Sequence, residues 1–244
     1  MLEDMCGRFV LDRASSELIG VFDIEVVGDQ LPKPSWNIAP TQAIHVVIDS
    51  IPRTGDMPEP VRRLESARWG LVPGWTKEHP SGAPLFNARS ETVAEKVAFS
   101  GALEKRRAII PASGYYEWQV IDGVKAPHYI SLPGDELLVF AGLYEWWRNP
   151  GVDSGTAGQW LLSSTILTTA STGGLAGLHE RMPVFLDADL VDEWLDPHTD
   201  GDDELVQLVV SGASEVAQRA TFHRVGDEVG AVQNNSPELV VPAG

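Results

Sequence analysis

Four strand-like segments follow one another in the middle of the chain without a helical segment between them. They cover residues 107–111, 115–120, 128–132 and 137–143 and are rich in β-branched and aromatic residues. A chain with many strands, few helices and no regular βαβ alternation is typical of an α+β protein. We therefore expect a mixed domain whose mostly antiparallel sheet curls toward a barrel and is flanked by helices.

The remaining segments predict further strands, a few helices and one long loop. Strands are expected at residues 43–51, 62–71, 160–169, 222–225 and 237–241, helices at residues 90–105, 187–195 and 203–210, and a short strand followed by a helix within residues 8–22. In the 90–105 helix, Ser90 is the expected cap, and Val93, Val97 and Ala98 are expected to face inward. Residues 72–85 carry three prolines and two glycines, which predicts a loop of functional length. We expect one domain over residues 1–244, which residues 226–244 close.

The charge of the chain is strongly asymmetric. The net charge is −17, from 35 acidic and 18 basic residues. Residues 1–120 hold 13 basic and 16 acidic residues, whereas residues 121–244 hold 5 and 19. Such an excess of acid opposes nucleic-acid binding, so a face that binds an anion would be built mainly from the first half. The acidic run between residues 187 and 204 is most simply a solvated face.

Composition excludes several classes of protein. Hydrophobic residues make up 43% and charged residues 22% of the chain, which is typical of globular proteins and not of disordered or collagen-like ones. The single cysteine excludes an internal disulfide, a cysteine-based zinc finger and an iron–sulfur cluster. No apolar run approaches the roughly 18 residues of a membrane helix, and the first residues lack the pattern of a signal peptide. We expect a cytoplasmic protein without a metal or other cofactor.

Cys6 follows Met5 directly, and this pair suggests a reactive amino terminus. A lone cysteine is more often a small buried hydrophobic residue. If translation starts at Met5, removal of that methionine leaves a chain that begins with Cys6. The α-amine of such a chain has a pKa of about 7.7–8.0 and lies beside the thiol. This 1,2-aminothiol can attack an aldehyde through nitrogen and close through sulfur to a thiazolidine, which neither an internal cysteine nor a lysine can do.

Two motifs in the first half carry groups that suit a nucleic acid. Trp69 and Trp75 bracket a Gly/Pro-rich turn that contains Pro73. They either pack a rigid loop or form a platform on which bases stack. Asn87 and Arg89 stand where a loop is expected to become a helix, and a helix N-terminus beside an arginine suits a phosphate. The structural alternative for Asn87 is a helix cap.

Two further motifs carry groups that transfer protons. Glu117 lies in a strand of aromatic residues. Burial there would favour its protonated form, as a general acid requires, although strand alternation could instead turn it to solvent. His179 and Arg181 follow a small, polar stretch of chain; histidine transfers protons near neutral pH, and arginine binds phosphates. No histidine spacing predicts a metal site.

Taken together, the motifs resemble the SRAP (SOS-response-associated peptidase) family, whose members act as abasic-site processing proteins. The resemblance is carried in register by Met-Cys-Gly-Arg-Phe at residues 5–9, Trp-Asn-Ile-Ala-Pro at 36–40, Trp-Gly-Leu-Val-Pro-Gly-Trp at 69–75, Asn-Ala-Arg-Ser-Glu-Thr at 87–92, Ile-Pro-Ala-Ser-Gly-Tyr-Tyr-Glu-Trp at 110–118 and His-Glu-Arg-Met-Pro at 179–183. It extends to about Pro242, because Val-Gln-Asn-Asn-Ser-Pro-Glu-Leu-Val-Val-Pro at 232–242 looks like the family's closing segment.

The resemblance implies a fold and a mechanism. The fold is a single mixed domain with a curled antiparallel sheet. Family members bind single-stranded DNA at abasic sites and cross-link to the ring-opened sugar aldehyde through the N-terminal cysteine. The implied catalytic residues are Cys6 as the nucleophile, Asn87 to orient the amine or the sugar, Glu117 as the acid/base, and His179 for ring opening and proton transfer. The residues implied to hold phosphates or stack on bases are Arg8, Asn37, Trp69, Pro73, Trp75, Arg89 and Arg181.

Two features depart from the family's pattern, and two alternatives stay open. Residues 1–4 precede Met5, and the chain is more acidic than expected for a DNA-binding protein. The peptidase name refers to removal of the residues ahead of the cysteine, so we expect residues 1–5 to be removed. The expected partner is single-stranded DNA with abasic sites, bound by a monomer that does not associate with membranes. The alternatives are a cysteine peptidase that acts on other proteins through Cys6, His179 and Glu117 or Asn87, and a non-catalytic single-strand binder.

Overall fold

The computed structural model describes residues 7–52, 59–77 and 82–244, which form thirteen strands and four α-helices. The strands are β1 (Phe9–Leu11), β2 (Val26–Val27), β3 (Ser35–Ile38), β4 (Ala43–Ser50), β5 (Val61–Trp69), β6 (Asn87–Arg89), β7 (Arg107–Ala112), β8 (Gly114–Ile121), β9 (Val124–Ser131), β10 (Leu138–Arg148), β11 (Trp160–Ala170), β12 (Arg181–Pro183) and β13 (Thr221–Arg224). The helices are α1 (Ser15–Val21), α2 (Ser100–Lys105), α3 (Val191–Leu195) and α4 (Asp203–Arg219). Short 3₁₀ turns cover Ser90–Thr92, Pro133–Asp135, Gly173–Gly177, Ala188–Leu190, Asp227–Gly230 and Pro237–Val240.

A closed ring of five strands forms the centre of the fold. β4 pairs with β5 and with β7, β7 pairs with β10, and β10 pairs with β11, all antiparallel. β11 returns to β5 through the parallel pairs Ser163–Arg68 and Ser164–Trp69, which closes the ring. Closure protects the edges of these strands over the paired residues. The predicted α+β fold with a curled, barrel-like sheet is confirmed.

A second sheet, with the strand order β13-β9-β8-β1-β3, separates two cores. Side chains alternate across its strands, so Phe9 and Tyr115 pack in the main core, whereas Val10 and Tyr116 pack in a smaller one. Phe9 meets Trp69 of the barrel edge-to-face, with 5.1 Å between ring centroids. The smaller core is completed by the carboxy-terminal residues Val225, Val229 and Leu239.

The helix predicted at residues 90–105 is wrong. The chain forms a 3₁₀ turn at Ser90–Thr92 and then α2 at Ser100–Lys105, with irregular turns between them. Val93 is buried, but Val97 is 77% exposed, so the two residues do not share an inward face. The N-cap residue of the turn is Arg89 and not Ser90, and its side chain makes no capping hydrogen bond. The β-branched residues of this segment weaken a helix, and burial of Phe99 in the main core anchors the chain instead.

Two further predictions near the carboxyl terminus also change. The helix expected at residues 203–210 extends to Arg219, because its buried face continues past Gly212 with Ala213 and Val216. The strand expected at residues 237–241 is the 3₁₀ turn Pro237–Val240; a proline cannot donate a hydrogen bond to a strand ladder. Within the described ranges, no helix combines the length and the apolar content needed to cross a bilayer.

Candidate active site

A cleft of about 680 Å³ opens where the end of β8 approaches the loop that follows β11. Its walls come from three separate parts of the chain. The lining residues are Arg89 of β6, Trp118, Gln119 and Val120 of β8, and Ala170 with residues 176–181 after β11. The cleft therefore brings together Arg89, His179 and Arg181, which the sequence analysis took from two distant motifs.

Arg89 reaches the cleft because β6 adds to the edge of β11. Asn87 pairs in parallel with Ile166, and Arg89 pairs with Thr168. Ala88 between them is buried, whereas Arg89 is exposed. The predicted helix N-terminus at this position is wrong, since only a single 3₁₀ turn follows. The positive charge offered to an anion here comes from the Arg89 side chain, because one short turn has little dipole.

Arg181 is an ion-paired residue of the cleft wall. Its Nη1 and Nη2 donate to Oε1 and Oε2 of Glu91, the second at 2.9 Å, and Nη2 also donates to the Thr168 carbonyl at 2.6 Å. The Arg181 side chain is 13% exposed. Hydrogen bonding from Arg181 is the main reason why the pKa of Glu91 lies below its usual value. The expectation that Arg181 offers a free positive charge to a phosphate is therefore corrected: Glu91 already neutralises that charge.

His179 is held through one ring nitrogen by the peptide groups of Arg181. The Arg181 N–H donates to Nδ1 at 3.1 Å, and the Arg181 carbonyl oxygen lies 3.3 Å from the same atom. The N–H bond assigns the acceptor role to Nδ1, so the neutral ring carries its proton on Nε2. These contacts orient the imidazole ring in the cleft wall.

Glu117 lies in the interior of β8 and is only 2% exposed, so its predicted burial is confirmed. It shares a strand face with Tyr115, which packs in the main core, and with Gln119, which lines the cleft. Gln119 donates from Nε2 to the Gly177 carbonyl at 2.7 Å, two residues before His179. This row of side chains leads from the core to the cleft, with Glu117 one step inside the cleft wall.

The first described strand, β1, pairs with β8, the strand that holds Glu117. In the antiparallel pair of β1 and β8, Phe9 faces Tyr115, and the Arg8 carbonyl accepts from the Tyr116 N–H at 2.9 Å. Gly7, the first described residue, lies two residues before β1. The predicted nucleophile Cys6 and the predicted leader, residues 1–5, lie outside the described residues.

Three residues predicted to bind DNA make contacts within the protein. Trp69 has no exposed surface, and its indole Nε1 donates to the Phe86 carbonyl at 2.9 Å. A base cannot stack on a ring that the core encloses, so the prediction for Trp69 is wrong. Asn37 is 2% exposed, and its side chain binds the carboxy-terminal segment. Arg8 donates from Nη1 to Asn37 Oδ1 at 3.0 Å and to the Val229 carbonyl at 2.9 Å.

The loop around Trp75 is firmly anchored, and Trp75 projects from it. The Val72 N–H donates to Ser163 Oγ at 2.9 Å, and Trp147 Nε1 donates to the Thr76 carbonyl at 2.7 Å. Pro73 is half-buried, whereas Trp75 is 66% exposed. A large apolar side chain on an anchored loop is available to a partner, so a role for Trp75 in stacking stays a prediction, as does the role of Pro73.

Sequence reasoning gave no role to Glu91 or Gln119. Gln119 could have been found from the period of two, because it follows Glu117 by two residues on one strand. Glu91 gave no such signal, since its partner Arg181 is 90 residues away. In the parts of the chain that the structure covers, no group of three or more histidine, cysteine, aspartate or glutamate residues is arranged to hold a metal ion.

Comparison with known proteins gives relatives over nearly the whole chain. The family model described as SOS response associated peptidase (SRAP) matches residues 5–232. The chain is 37% identical to the abasic site processing protein YoaM of Bacillus subtilis, over 97% of each chain. It is 31% identical to the abasic site processing protein HMCES of Gallus gallus, over 86% of this chain and 66% of that one.

Solved structures share the fold at lower identity. A protein of Bacteroides thetaiotaomicron superposes with a TM-score of 0.77 at 18% identity, over 98% of this chain and all of that chain. A phage-related protein of Bordetella bronchiseptica superposes with a TM-score of 0.65 at 25% identity, over 90% of this chain and 94% of that chain. From the match over residues 5–232 and the identity to YoaM, the chain belongs to the SOS response associated peptidase (SRAP) family.

Proposed function

We propose that this protein is a DNA-repair protein that processes abasic sites in single-stranded DNA by forming a covalent cross-link through Cys6. Relatives that bear the name abasic site processing protein support the substrate. The observation that carries the proposal is the cleft itself: it joins Arg89 and His179 to the end of the strand that holds Glu117. Gly7, which follows Cys6 in sequence, lies two residues before β1, and β1 pairs with the strand that holds Glu117.

The proposed reaction condenses an aminothiol with an aldehyde. When Cys6 is the first residue, its α-amine adds to C1′ of the ring-opened abasic sugar, and loss of one water gives an imine. The thiol then adds across the C=N bond: sulfur bonds to C1′, and the thiol proton passes to nitrogen. The product is a thiazolidine and one water, with no change in oxidation state. A cysteine inside the chain lacks the free amine, so this chemistry requires the residues before Cys6 to be absent.

Two side chains of the site supply the proton transfers. Glu117, in its protonated form, donates to the hydroxyl that leaves as water, and burial favours that form of a carboxyl group. His179 takes the proton from the hydroxyl on C1′ as the sugar ring opens and returns a proton to the ring oxygen. Asn87, which β6 fixes against Ile166, orients the amine or the sugar.

Arg89 and Trp75 are the proposed DNA contacts. Arg89 is an exposed cation at the cleft, and Trp75 is an exposed aromatic group on an anchored loop. Both come from the half of the chain that is nearly neutral, whereas most of the excess acid lies in the second half. This division favours one binding face, on a protein that acts as a monomer on DNA in the cytoplasm.

Assays with three substrates test the proposal: cross-linking to two oligonucleotides and digestion of casein. A single-stranded oligonucleotide with one abasic site should give a stable adduct, the intact oligonucleotide should give none, and labelled casein should not be digested. A casein digest without an adduct would favour a cysteine peptidase, and equal binding of both oligonucleotides without an adduct would favour a non-catalytic binder. Either result would overturn the proposal.

The mass of the active protein tests the requirement for a free amine. We expect the form that starts at Cys6 to cross-link and a form that retains residues 1–5 to react only after their removal. If a variant that keeps these residues throughout the assay cross-links at the same rate, the N-terminal mechanism is wrong. The control is the same assay with intact mass measured before and after the reaction.

A further inference from the structure

Two side chains near the amino terminus, those of Arg8 and Asn37, bind the closing segment of the chain, residues 226–242. Asn37 Nδ2 lies within hydrogen-bond distance of the carbonyls of Val229 (3.2 Å), Ala231 (3.1 Å) and Asn234 (2.8 Å). Arg8 donates to the carbonyls of Val229 (2.9 Å) and Gly230 (3.3 Å). Two side chains from the first forty residues therefore hold a turn that lies about 190 to 220 positions away in sequence.

Asn37 is the centre of this network, and its amide side chain matches the donors and acceptors around it. Its Oδ1 accepts from Arg8 Nη1 at 3.0 Å, while its Nδ2 faces the three carbonyls. An amide offers an acceptor oxygen and two N–H donors on separate atoms of one short side chain. An aspartate would keep the contact with Arg8 but would set a negative oxygen against the carbonyls. Because Asn37 is buried, water cannot replace the lost bonds.

The neighbouring residues bind the segment a second time. The Trp36 N–H and Ser35 Oγ both lie within hydrogen-bond distance of Asn235 Oδ1, at 2.7 and 3.2 Å. Tyr116 Oη donates to the Trp36 carbonyl at 2.8 Å. Tyr116 in turn donates its N–H to the Arg8 carbonyl. The contacts thus join the closing segment, β3, β8 and β1 into one unit.

We propose that this network is a positioning device: the closing segment, residues 226–242, fixes Arg8 and, through it, the chain just after Cys6. The inference rests on the proposed function and assigns Asn37 a positioning role in it. Arg8 lies two residues after Cys6, and hydrogen bonds fix both its backbone and its side chain. Its guanidinium carbon Cζ also lies 6.0 Å from the centroid of the Trp118 ring. Trp118 lines the cleft, so the network touches the site without occupying it.

The test separates the rate of cross-linking from affinity for DNA. Asn37→Asp and the matched control Asn149→Asp add the same charge, but Asn149 lies in the β10–β11 connection, where its Oδ1 accepts from the Gly151 N–H. Cross-linking rates are measured at saturating abasic oligonucleotide. Affinity is measured with a tetrahydrofuran analogue, which lacks the aldehyde. A misplaced reacting group loses rate, about 10- to 100-fold for shifts near 1 Å, whereas a residue that binds DNA loses affinity.

We expect Asn37→Asp to lose about 10- to 100-fold in rate and to bind the analogue within about twofold of Asn149→Asp. An unchanged rate, or an equal loss of rate and affinity, would overturn the inference. If Asn37→Asp does not fold, Asn235→Ala replaces it; Asn235 is exposed, and the change removes only the bonds from Ser35 and Trp36. An unchanged rate in that variant likewise overturns the inference. If the parent protein forms no cross-link, the proposed function fails, which is a separate result.

Discussion

Glu91 and Arg181 form a two-point ion pair that spans strand β11. Glu91 follows β6, which pairs with β11 on one side, and Arg181 begins β12, which pairs with β11 on the other. The pair also binds the Thr168 carbonyl of β11 itself. Arg89, two residues before Glu91, lies on the same cleft but is exposed. The sequence predicted the same phosphate-binding role for Arg89 and Arg181, but only Arg89 offers a positive charge that no carboxylate neutralises through a two-point ion pair.

This difference predicts distinct salt dependences of DNA binding. Arg89→Gln should flatten the log–log dependence of single-strand affinity on salt by about 0.7, the effect of one phosphate contact. Arg181→Gln should change the slope less, because Glu91 already neutralises that cation. Glu91→Gln should steepen the slope by freeing Arg181. Fluorescence anisotropy with one oligonucleotide over a series of salt concentrations measures all three, and equal slopes for the two arginine variants would contradict the prediction.

Substitutions at the reacting groups should change either the product or only the rate. Cys6→Ala at a processed amino terminus keeps the α-amine, which still forms an imine but cannot close the ring. We expect a borohydride-trappable, heat-labile adduct with some strand cleavage by β-elimination. Glu117→Gln and His179→Ala keep the thiol and should give the normal heat-stable adduct about 10²- to 10⁴-fold more slowly. Denaturing gels after heating, with and without borohydride, distinguish these products.

The same gels would also reveal outcomes that contradict these predicted roles. A heat-stable adduct from Cys6→Ala, equal in amount to that of the parent, would mean that another residue makes the bond. Unchanged rates in both Glu117→Gln and His179→Ala would remove these side chains from proton transfer.

Buried His45 should make the protein less stable in mild acid. Burial lowers the pKa of His45 from 6.5 to about 4, and its Nε2 lies 2.9 Å from Ser15 Oγ. The unfolded chain therefore binds a proton at this residue below pH 6.5, whereas the folded chain does not until about pH 4. The free energy of unfolding should fall by about 2 kcal/mol between pH 7.5 and pH 5 from this residue alone.

Urea unfolding of His45→Gln at these two pH values measures the contribution. The variant should lose less stability between pH 7.5 and pH 5 than the parent does. His198→Gln, at an exposed position, is the matched control and should follow the parent. A decline in His45→Gln as steep as that of the parent would assign the acid sensitivity to other groups.

Arg107 should be essential for stability although it lies outside the site. Its guanidinium is buried and donates to five backbone carbonyls, which belong to Leu103, Glu104, Trp194, Asp196 and Thr199. A lysine has three donors on one nitrogen and cannot reach this set. We expect Arg107→Lys to lower the free energy of unfolding by about 2 kcal/mol or more, because several carbonyls lose their donors. Arg148→Lys, at an exposed position, should change it by less than about 0.5 kcal/mol, and equal effects in urea unfolding would refute the prediction.

The strand pattern was predictable from local composition, and the burial of Glu117 was predictable because its neighbours in the strand are aromatic. Residues 107–143 form short runs rich in β-branched and aromatic residues, which favours strands; β7 to β9 lie there, and β10 begins there. The helix predicted at residues 90–105 was wrong because the local pattern did not decide the structure there. Its apolar residues fit a helical period, but weak helix propensity and the burial of Phe99 divide the segment into two turns.

The sequence by itself determined which residues are candidates for chemistry: one cysteine after a methionine, a carboxyl group in an aromatic strand, and a histidine after a small, polar stretch of chain. Only the tertiary structure decided which charges and rings are available to a partner. Trp69 is enclosed by the barrel, and Asn37 is bound to a segment almost 200 residues away. Arg181 is neutralised by Glu91, 90 residues from it. Exposure and ion pairing depend on contacts between distant segments, and the local spacing of residues carries no record of those contacts.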